Sequence, residues 1–263
     1  MDLKLKGRRA FISGSTEGIG FAIAQQLLDE GAEVIINGRE QGKTNRAVRV
    51  LEKQFPNAAV TGIPADFSVK EEVDVLLEQL HDVDILVNNV GIYELKDLEA
   101  TKDEDWYSMF EVNVMSGVRL SRRLLPQMLA RNSGRIIFIS SESGVNIPDN
   151  MIHYGMTKAA MMAVSNGLSK LTKGTEVTVN TILGGPTYSA GVARTIEHIA
   201  EQQNLTVEQL KQGIMQQTNP HSLLGRFIDP TEIANLVAYL SSELSIATNG
   251  SCLRADGGVL KNL

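Results

Sequence analysis

Short apolar runs alternate with amphipathic stretches along almost the whole chain, and this rhythm narrows the possible folds more than any other feature. Ala10-Phe11-Ile12 reads as a short buried strand. From Gly18 to Glu30, the residues Ile19, Ile23, Ala24, Leu27 and Leu28 recur at the spacing of one helix face. Further strands are predicted at Val34–Ile36, Ala59–Ile63, Ile85–Val87, Arg135–Ile139, Val177–Leu183 and Ser251–Arg254. Helices are predicted at Ala47–Phe55, Val69–Leu80, Tyr154–Thr172 and Pro230–Ser241, the last opening on Pro-Thr-Glu. One long helical stretch is predicted from Asp103 to Arg131, with its pattern broken near Gly117, and residues 190–217 read as one or two polar helices.

Repeated strand–helix–strand units require a parallel sheet with helices on both faces. The predicted class is therefore α/β, a doubly wound parallel sheet in three α/β/α layers. No Ser/Pro-rich linker, charge block or internal repeat divides the chain, so residues 1–263 are expected to form one domain. In such a sheet a ligand sits outside the carboxyl ends of the strands.

Composition excludes several classes of function. The chain is 43% hydrophobic and 21% charged, enough apolar material for a large core. A net charge of -6 gives no electrostatic reason to bind nucleic acid or an anionic membrane. Cys252 is the one cysteine, so no intrachain disulfide forms, and it is expected to be buried and inert. No apolar run reaches the length of a membrane span, and the N-terminal one is too short for a secretion signal. The expected location is the cytoplasm. His81, His198 and His221 lack ligand spacing, and no metal site is expected.

Ser13-Gly14-Ser15-Thr16-Glu17-Gly18-Ile19-Gly20 lies between the first strand and the first helix. Gly14 allows a tight turn, Gly18 lets the backbone approach a pyrophosphate, and Gly20 permits close helix packing. The helix N-terminus then offers free N–H groups to an anion. A bare glycine-rich turn would need no ligand, but the strand–loop–helix setting favours phosphate binding. Downstream, Tyr154-Gly155-Met156-Thr157-Lys158 puts a phenol and an ammonium at i and i+4 on one helix face. Ser141 lies thirteen residues before Tyr154, at a strand end, and Asn113 lies within the long helix.

The Gly-x-x-x-Gly-x-Gly spacing and the Asn113, Ser141, Tyr154, Lys158 series resemble the short-chain dehydrogenase/reductase family, over residues 5 to 259 or so. The resemblance implies a Rossmann-type fold, a nicotinamide cofactor and a homo-oligomer, tetramer or dimer. It assigns the catalytic tetrad to Asn113, Ser141, Tyr154 and Lys158. Ser141 would bond the substrate oxygen, Lys158 would bind the nicotinamide ribose, and Asn113 would hold a water leading to solvent. Backbone bonding at a helix kink is the other reading of Asn113. Ser13, Gly14, Ser15, Gly18, Ile19 and Gly20 are the candidate contacts of the phosphate loop, with Ser13 standing where Thr is usual. Asp66 would contact adenine. Asn88-Asn89-Val90-Gly91 resembles the family's Asn-Asn-Ala-Gly, and Asn88 and Gly91 are taken from it as cofactor contacts. Thr187 is the candidate contact after the later Asn180–Pro186 segment, with Ser189 as competitor. Gly184, where Pro is usual, is expected to loosen that turn.

The charge at the end of the second strand bears on the nucleotide. A carboxylate there would accept from a ribose 2′-OH and repel a 2′-phosphate, and Asn37 is not an acid. Arg39 follows and can pair with a phosphate in a fork geometry. NADP(H) is therefore favoured and NAD(H) left open, with Glu17 opposing because many NADP-type relatives carry a base there. Catalysis asks Tyr154 to exchange a proton near neutrality. A cation about 4 Å away, at an effective dielectric near 20, contributes on the order of 4 kcal/mol, roughly three pKa units. Lys158 is expected to supply that charge and bring the phenol near 7.

These readings make the chain an oxidoreductase acting on a small carbonyl or secondary alcohol. The alternative is a catalytically silent dinucleotide-binding regulator or scaffold. A substrate lid is expected over residues 188–223. His153 is expected to wall the substrate pocket, and Trp106 to anchor a helix start.

Overall fold

The apolar runs become seven strands in a computed structural model that describes residues 1–261. They are β1 (Arg9–Ile12), β2 (Glu33–Gly38), β3 (Val60–Pro64), β4 (Ile85–Asn88), β5 (Gly134–Ser141), β6 (Val177–Gly184) and β7 (Cys252–Ala255). β4 and β6 are buried along their whole length, as strands covered on both faces must be. Every pairing is parallel, and the order is β3-β2-β1-β4-β5-β6-β7. The chain moves outward from β1 to β3, then crosses back to β4 on the other side of β1. Loops leaving β1 and β4 therefore diverge to opposite faces and open a crevice at the strand ends.

Period-two alternation divides the core. Ala10 and Ile12 of β1 join Ile23, Leu27, Ile36, Ile233 and Val237 on one face of the sheet. Phe11 points the other way, among Leu76, Leu124, Phe138 and Met161. The first face is covered by α1 (Gly18–Asp29), α2 (Gln41–Gln54) and a later helix, Pro230–Ser241. The second is covered by α3 (Lys70–Gln79), a segment ending in Ser116–Ala130, and Ile152–Lys170. This is the three-layer, doubly wound, Rossmann-type arrangement that the alternation predicts. Full burial of a side chain such as Phe11 or Phe138 stabilises the fold by roughly 2 kcal/mol each.

The long helical stretch is divided rather than continuous. α4 (Asp103–Phe110) passes into a π-helical turn (Glu111–Met115), then into α5 (Ser116–Ala130). The break lies at Asn113, earlier than the sequence pattern suggests. Gly117 serves packing instead. A Cβ there would stand 2.7 Å from the Phe138 ring, so glycine lets α5 close on β5. α6 (Ile152–Lys170) follows β5, and residues 190–217 form two helices, α7 (Ala190–Gln202) and α8 (Val207–Thr218). α9 (Pro230–Ser241) begins as predicted, with Asp229 and Glu232 forming a reciprocal cap. Cys252 is exposed, not buried, because it opens the edge strand β7 on its outward-facing register.

Candidate active site

The carboxyl ends of β1, β2 and β4 border a cleft of about 480 Å³, lined by Gly14, Gly18, Ile19, Gly20, Arg39, Asp66 and Gly91 among others. Gly14 and Gly18 have φ of +60° and +63°, which glycine adopts without strain. A Cβ on Gly14 would also stand 2.9 Å from the Val90 Cα. Gly20 is held tighter still: a Cβ there would lie 2.5 Å from both the Asn89 amide nitrogen and the Gly14 carbonyl oxygen. Side chains would thus fill the cradle that a diphosphate needs, at the N-terminus of α1.

Two serines expected among the contacts face inward. Ser13 is fully buried, and its hydroxyl accepts from the Asn89 and Val90 backbone N–H groups at 3.0 Å. Ser15 is also fully buried, donating to the Ile12 carbonyl at 2.7 Å and accepting from the Asn37 N–H at 3.0 Å. Their hydroxyls fix the loop from below. Asn89, not Asn88, completes that support, donating to the carbonyls of Ser13 (2.9 Å) and Gly14 (2.8 Å) while lining the cleft. Asn88 points into the core toward Ser121, 3.3 Å away, and its Oδ1 has no hydrogen-bond partner among the described residues. The Asn-Asn pair carries the signal, but the alternation of β4 decides which member faces the cleft.

Asn37 borders the cleft but is only 1% exposed, and its side-chain polar atoms are spent on neighbouring backbone. Its Oδ1 accepts from Gly14 N–H at 3.1 Å, and its Nδ2 donates to the carbonyls of Ile63 (3.0 Å) and Ala65 (3.4 Å). It ties three strand ends together. Gly38 and Arg39 are the residues at the cleft beyond it, and among the described residues exposed Arg39 has no carboxylate partner. Glu17 is held by two cations, Lys43 at 2.9 Å and Arg194 through a two-pronged contact at 3.1 and 3.2 Å. Arg194, then Lys43, hold its carboxyl below the usual range, so its negative charge is locally neutralised. Asp66 lines the cleft, with Oδ1 accepting from Ser68 N–H (2.8 Å) and hydroxyl (2.7 Å).

The tetrad residues gather beside Gly91. Ser141 ends β5, its hydroxyl accepting from Ser143 N–H at 3.1 Å, and the half-buried Tyr154 stands on α6. Lys158, one turn on, is 95% buried: its Nζ donates to the Ile139 carbonyl at 3.0 Å and lies 5.5 Å from the Tyr154 ring centroid. A Cβ on Gly91 would be 3.5 Å from that Nζ and from Asn113 Oδ1. Asn113 accepts from Ile92 N–H at 2.7 Å and donates to the Ile92 carbonyl (2.9 Å) and the Thr157 hydroxyl (3.0 Å). The backbone it bonds is that of Ile92, beyond β4, rather than its own helix, and its Oδ1 lies across Gly91 from the Lys158 side.

The phenol does not come down toward 7 through this chain's own residues. Burial pushes it up to about 12; the Ser141 hydroxyl opposes this, and the Glu142 charge adds to it. Burial also lowers Lys158 to about 8. At the observed spacing the ammonium does not offset desolvation of the phenolate. Glu142, which directly follows Ser141, is a charge acting on Tyr154 that the sequence reading does not weigh.

Three other expectations shift. Thr187 turns its hydroxyl to the Gly185 carbonyl at 2.8 Å, whereas Ser189, the competitor, lines the cleft and caps α7. Gly184 stays within β6, paired with Ser141 and Ala255, so the strand does not loosen there. His153 is 1% exposed and packs edge-on against Trp106 at 6.0 Å, away from the cleft, because its position on α6 faces α4. Trp106 sits in the first turn of α4, as expected. Among the described residues no group of side chains is suited to hold a metal, and no helix is long and apolar enough to cross a membrane.

Fold and site together define a nicotinamide-nucleotide oxidoreductase of the alcohol/carbonyl type. The chain belongs to the short-chain dehydrogenase/reductase family: the short chain dehydrogenase model matches residues 8–200. It is 43% identical over 263 residues to the uncharacterized oxidoreductase YvaG of Bacillus subtilis (strain 168), covering 100% of both chains. It is 30% identical over 258 residues to the D-beta-hydroxybutyrate dehydrogenase of Cupriavidus necator, covering 97% of this chain and 98% of that one. The crystal structure of L-sorbose reductase from Gluconobacter frateurii, complexed with NADPH and L-sorbose, superposes with a TM-score of 0.93 at 32% identity, covering 100% of both chains.

Proposed function

We propose that this protein reduces a ketone to a secondary alcohol, or runs the reverse oxidation, with NADP(H) as partner and Tyr154 as general acid/base. One constellation carries the reading: Tyr154 and Lys158 one turn apart on α6, the ammonium 5.5 Å from the phenol ring, with Ser141 at the end of β5. When bound, the nicotinamide supplies or accepts the hydride. The chain supplies the rest. Ser141 donates to the carbonyl oxygen and stabilises the charge that gathers there. Tyr154 gives its proton to that oxygen, so the phenol O–H breaks as the alcohol O–H forms, and solvent returns the proton to the tyrosinate. Lys158 holds a positive charge beside the tyrosinate. Asn113 fixes the Ile92 strand end and the Thr157 turn that flank the ammonium.

Gly14, Gly18, Ile19 and Gly20 would carry the diphosphate, Asp66 the adenine, and Lys158 the nicotinamide ribose, with Gly91 and Ser189 along the wall. Arg39 would pair with the 2′-phosphate. The unpaired Arg39, the absence of a side chain on Gly38 and the neutralised Glu17 all support NADP(H). The NADPH in the L-sorbose reductase structure supports the same preference. The Tyr188–Leu223 segment, with α7 and α8, would form the substrate lid. We also take the protein to be a cytoplasmic homo-oligomer, tetramer or dimer. Exposed Tyr107 and Phe110 on α4 give apolar surface for subunit contact, and light scattering would report the mass in multiples of 28.7 kDa.

A fluorescence titration with NADPH and with NADH, on wild type and Arg39→Ala, tests the cofactor assignment. Losing a charge-assisted phosphate contact should weaken NADPH by roughly 10- to 100-fold, while NADH stays within about threefold. Equal losses for both nucleotides would refute the phosphate contact.

A further inference from the structure

We infer that Lys43 is a second cation for the 2′-phosphate of NADP(H): Glu17 holds it in the free protein, and the phosphate takes it over when the nucleotide binds. The inference rests on the NADP(H) reading above and adds to it a residue and an exchange of partners.

Lys43 lies in the first turn of α2, and it lines the same cleft as Glu17, Gly38 and Arg39. Gly38 fixes their relation. A Cβ there would stand 2.4 Å from the Thr16 methyl and 3.0 Å from the Thr44 hydroxyl, so residues 16 and 44 close on it together. Their chain neighbours Glu17 and Lys43 thus flank the end of β2, one from the phosphate loop and one from α2. Their head groups meet at 2.9 Å. The end of the second strand is where the adenosine ribose lies in a sheet of this kind.

Glu17 can lose Lys43 and keep both oxygens bonded. Its Oε1 accepts from Lys43 at 2.9 Å and from Arg194 of α7 at 3.2 Å, and its Oε2 accepts from Arg194 at 3.1 Å. A planar guanidinium is enough for a carboxylate in this two-pronged geometry. Lys43 is placed differently. Glu17 is its one ion-pair partner among the described residues, and the lysine side chain is 40% exposed, on a stem that can swing. An exposed ammonium–carboxylate pair is a weak interaction. A phosphate monoester carries close to two charges near neutrality and three acceptor oxygens. The phosphate is therefore the stronger partner for Lys43. Two acids, Glu17 and Glu40, also line this end of the cleft. Arg39 alone would face a dianion with both acids nearby; Lys43 on the phosphate and Arg194 on Glu17 bring the cluster closer to balance. Glu17 then lowers NADPH affinity by the strength of the bond that has to break.

Fluorescence titration with NADPH and with NADH tests this on wild type, Lys43→Met, Glu17→Gln and the double variant. Lys43→Met should weaken NADPH about 5- to 30-fold and leave NADH within about twofold. Lys43→Arg, which keeps a donor cation, should retain most of the NADPH affinity. Glu17→Gln should tighten NADPH about two- to fivefold, because Lys43 no longer has a bond to break, with NADH unchanged. That gain should largely disappear in the double variant relative to Lys43→Met. An equal gain with and without Lys43 makes Glu17 only a repelling charge and overturns the exchange. Equal weakening of NADPH and NADH by Lys43→Met makes Lys43 a structural partner of Glu17 and overturns the inference. In both cases a wild-type preference for NADPH that Arg39→Ala removes leaves the NADP(H) reading standing. A wild type that binds NADH as tightly as NADPH sinks that reading and the inference with it. Calorimetry with adenosine 2′,5′-bisphosphate and with 5′-AMP reads the same site without the nicotinamide. Lys43→Met should weaken the bisphosphate and spare 5′-AMP, and equal effects on the two would overturn the assignment.

Discussion

Replacing Lys158 with Met should make the isolated protein more stable while abolishing its turnover. Lys158 is 95% buried, and its burial lowers its pKa from 10.5 to about 8. A lysine with a folded pKa below its unfolded one binds its proton more weakly when folded. Stability contributed by the group therefore rises with pH between about 8 and 10.5, and the full cost of the buried charge is present below 8. That cost is about 3 kcal/mol at one pKa unit per 1.36 kcal/mol. Met removes the charge but also the bond to the Ile139 carbonyl, giving back about 1 kcal/mol. A net gain of about 2 kcal/mol should raise the melting temperature by roughly 4–8 °C at pH 7 in a domain of this size. At pH 10 the wild-type lysine is largely neutral in the fold, and the gap should shrink below about 1 kcal/mol. Circular-dichroism melts of both proteins at the two pH values read this directly. A variant that melts below wild type at pH 7, or a gap that ignores pH, would refute the reasoning.

The remaining predictions concern the machinery around that lysine. Tyr154→Phe should lower kcat by roughly 10²–10⁴-fold, the usual range for a general acid, with NADPH affinity changed less than about threefold by fluorescence. Gly20→Ala puts a methyl 2.5 Å from both Asn89 Nδ2 and the Gly14 carbonyl, so the loop must move. An overpacking cost of about 1–3 kcal/mol should appear as a lower melting temperature and weaker binding of both nucleotides. Arg194→Ala frees one side of Glu17, but the pair is exposed and worth about 0.2–1 kcal/mol. Its melting temperature should therefore stay within about 3 °C of wild type. NADPH affinity should fall more than NADH affinity, because Glu17 is then balanced by Lys43 alone.

The fold is readable because strand and helix periodicities alternate so regularly, and α9 can be placed to the residue through its Asp-Pro-Thr-Glu start. The sequence brings the proposed Ser141, Tyr154 and Lys158 together through one strand end and one helix turn, while Asn113 sits in the π-helical turn. What the sequence does not reveal is direction. Asn88 and Asn89 differ by one position, yet the pleat sends the first into the core and the second to the cleft. Ser13, Ser15 and Asn37 occupy the right stretch of chain and spend their polar atoms on neighbouring backbone. The direction of the Tyr154 shift is hidden too, because spacing along a helix gives proximity to Lys158, not the depth at which both groups are buried.

The interior position of Asn37 has a consequence for anyone wishing to convert this protein to NADH. An aspartate at that site could still accept from Gly14 N–H but could not donate to the Ile63 and Ala65 carbonyls, so the exchange would loosen the end of β3. The acid would have to enter one residue later, at Gly38. There a side chain meets the Thr16 methyl at 2.4 Å and the Thr44 hydroxyl at 3.0 Å. On the NADP(H) reading proposed above, coenzyme choice is guarded by steric occupancy as well as by charge. A conversion is best made as a paired change, a smaller residue at position 16 together with an acid at 38, because a Cβ at 38 alone meets the Thr16 methyl.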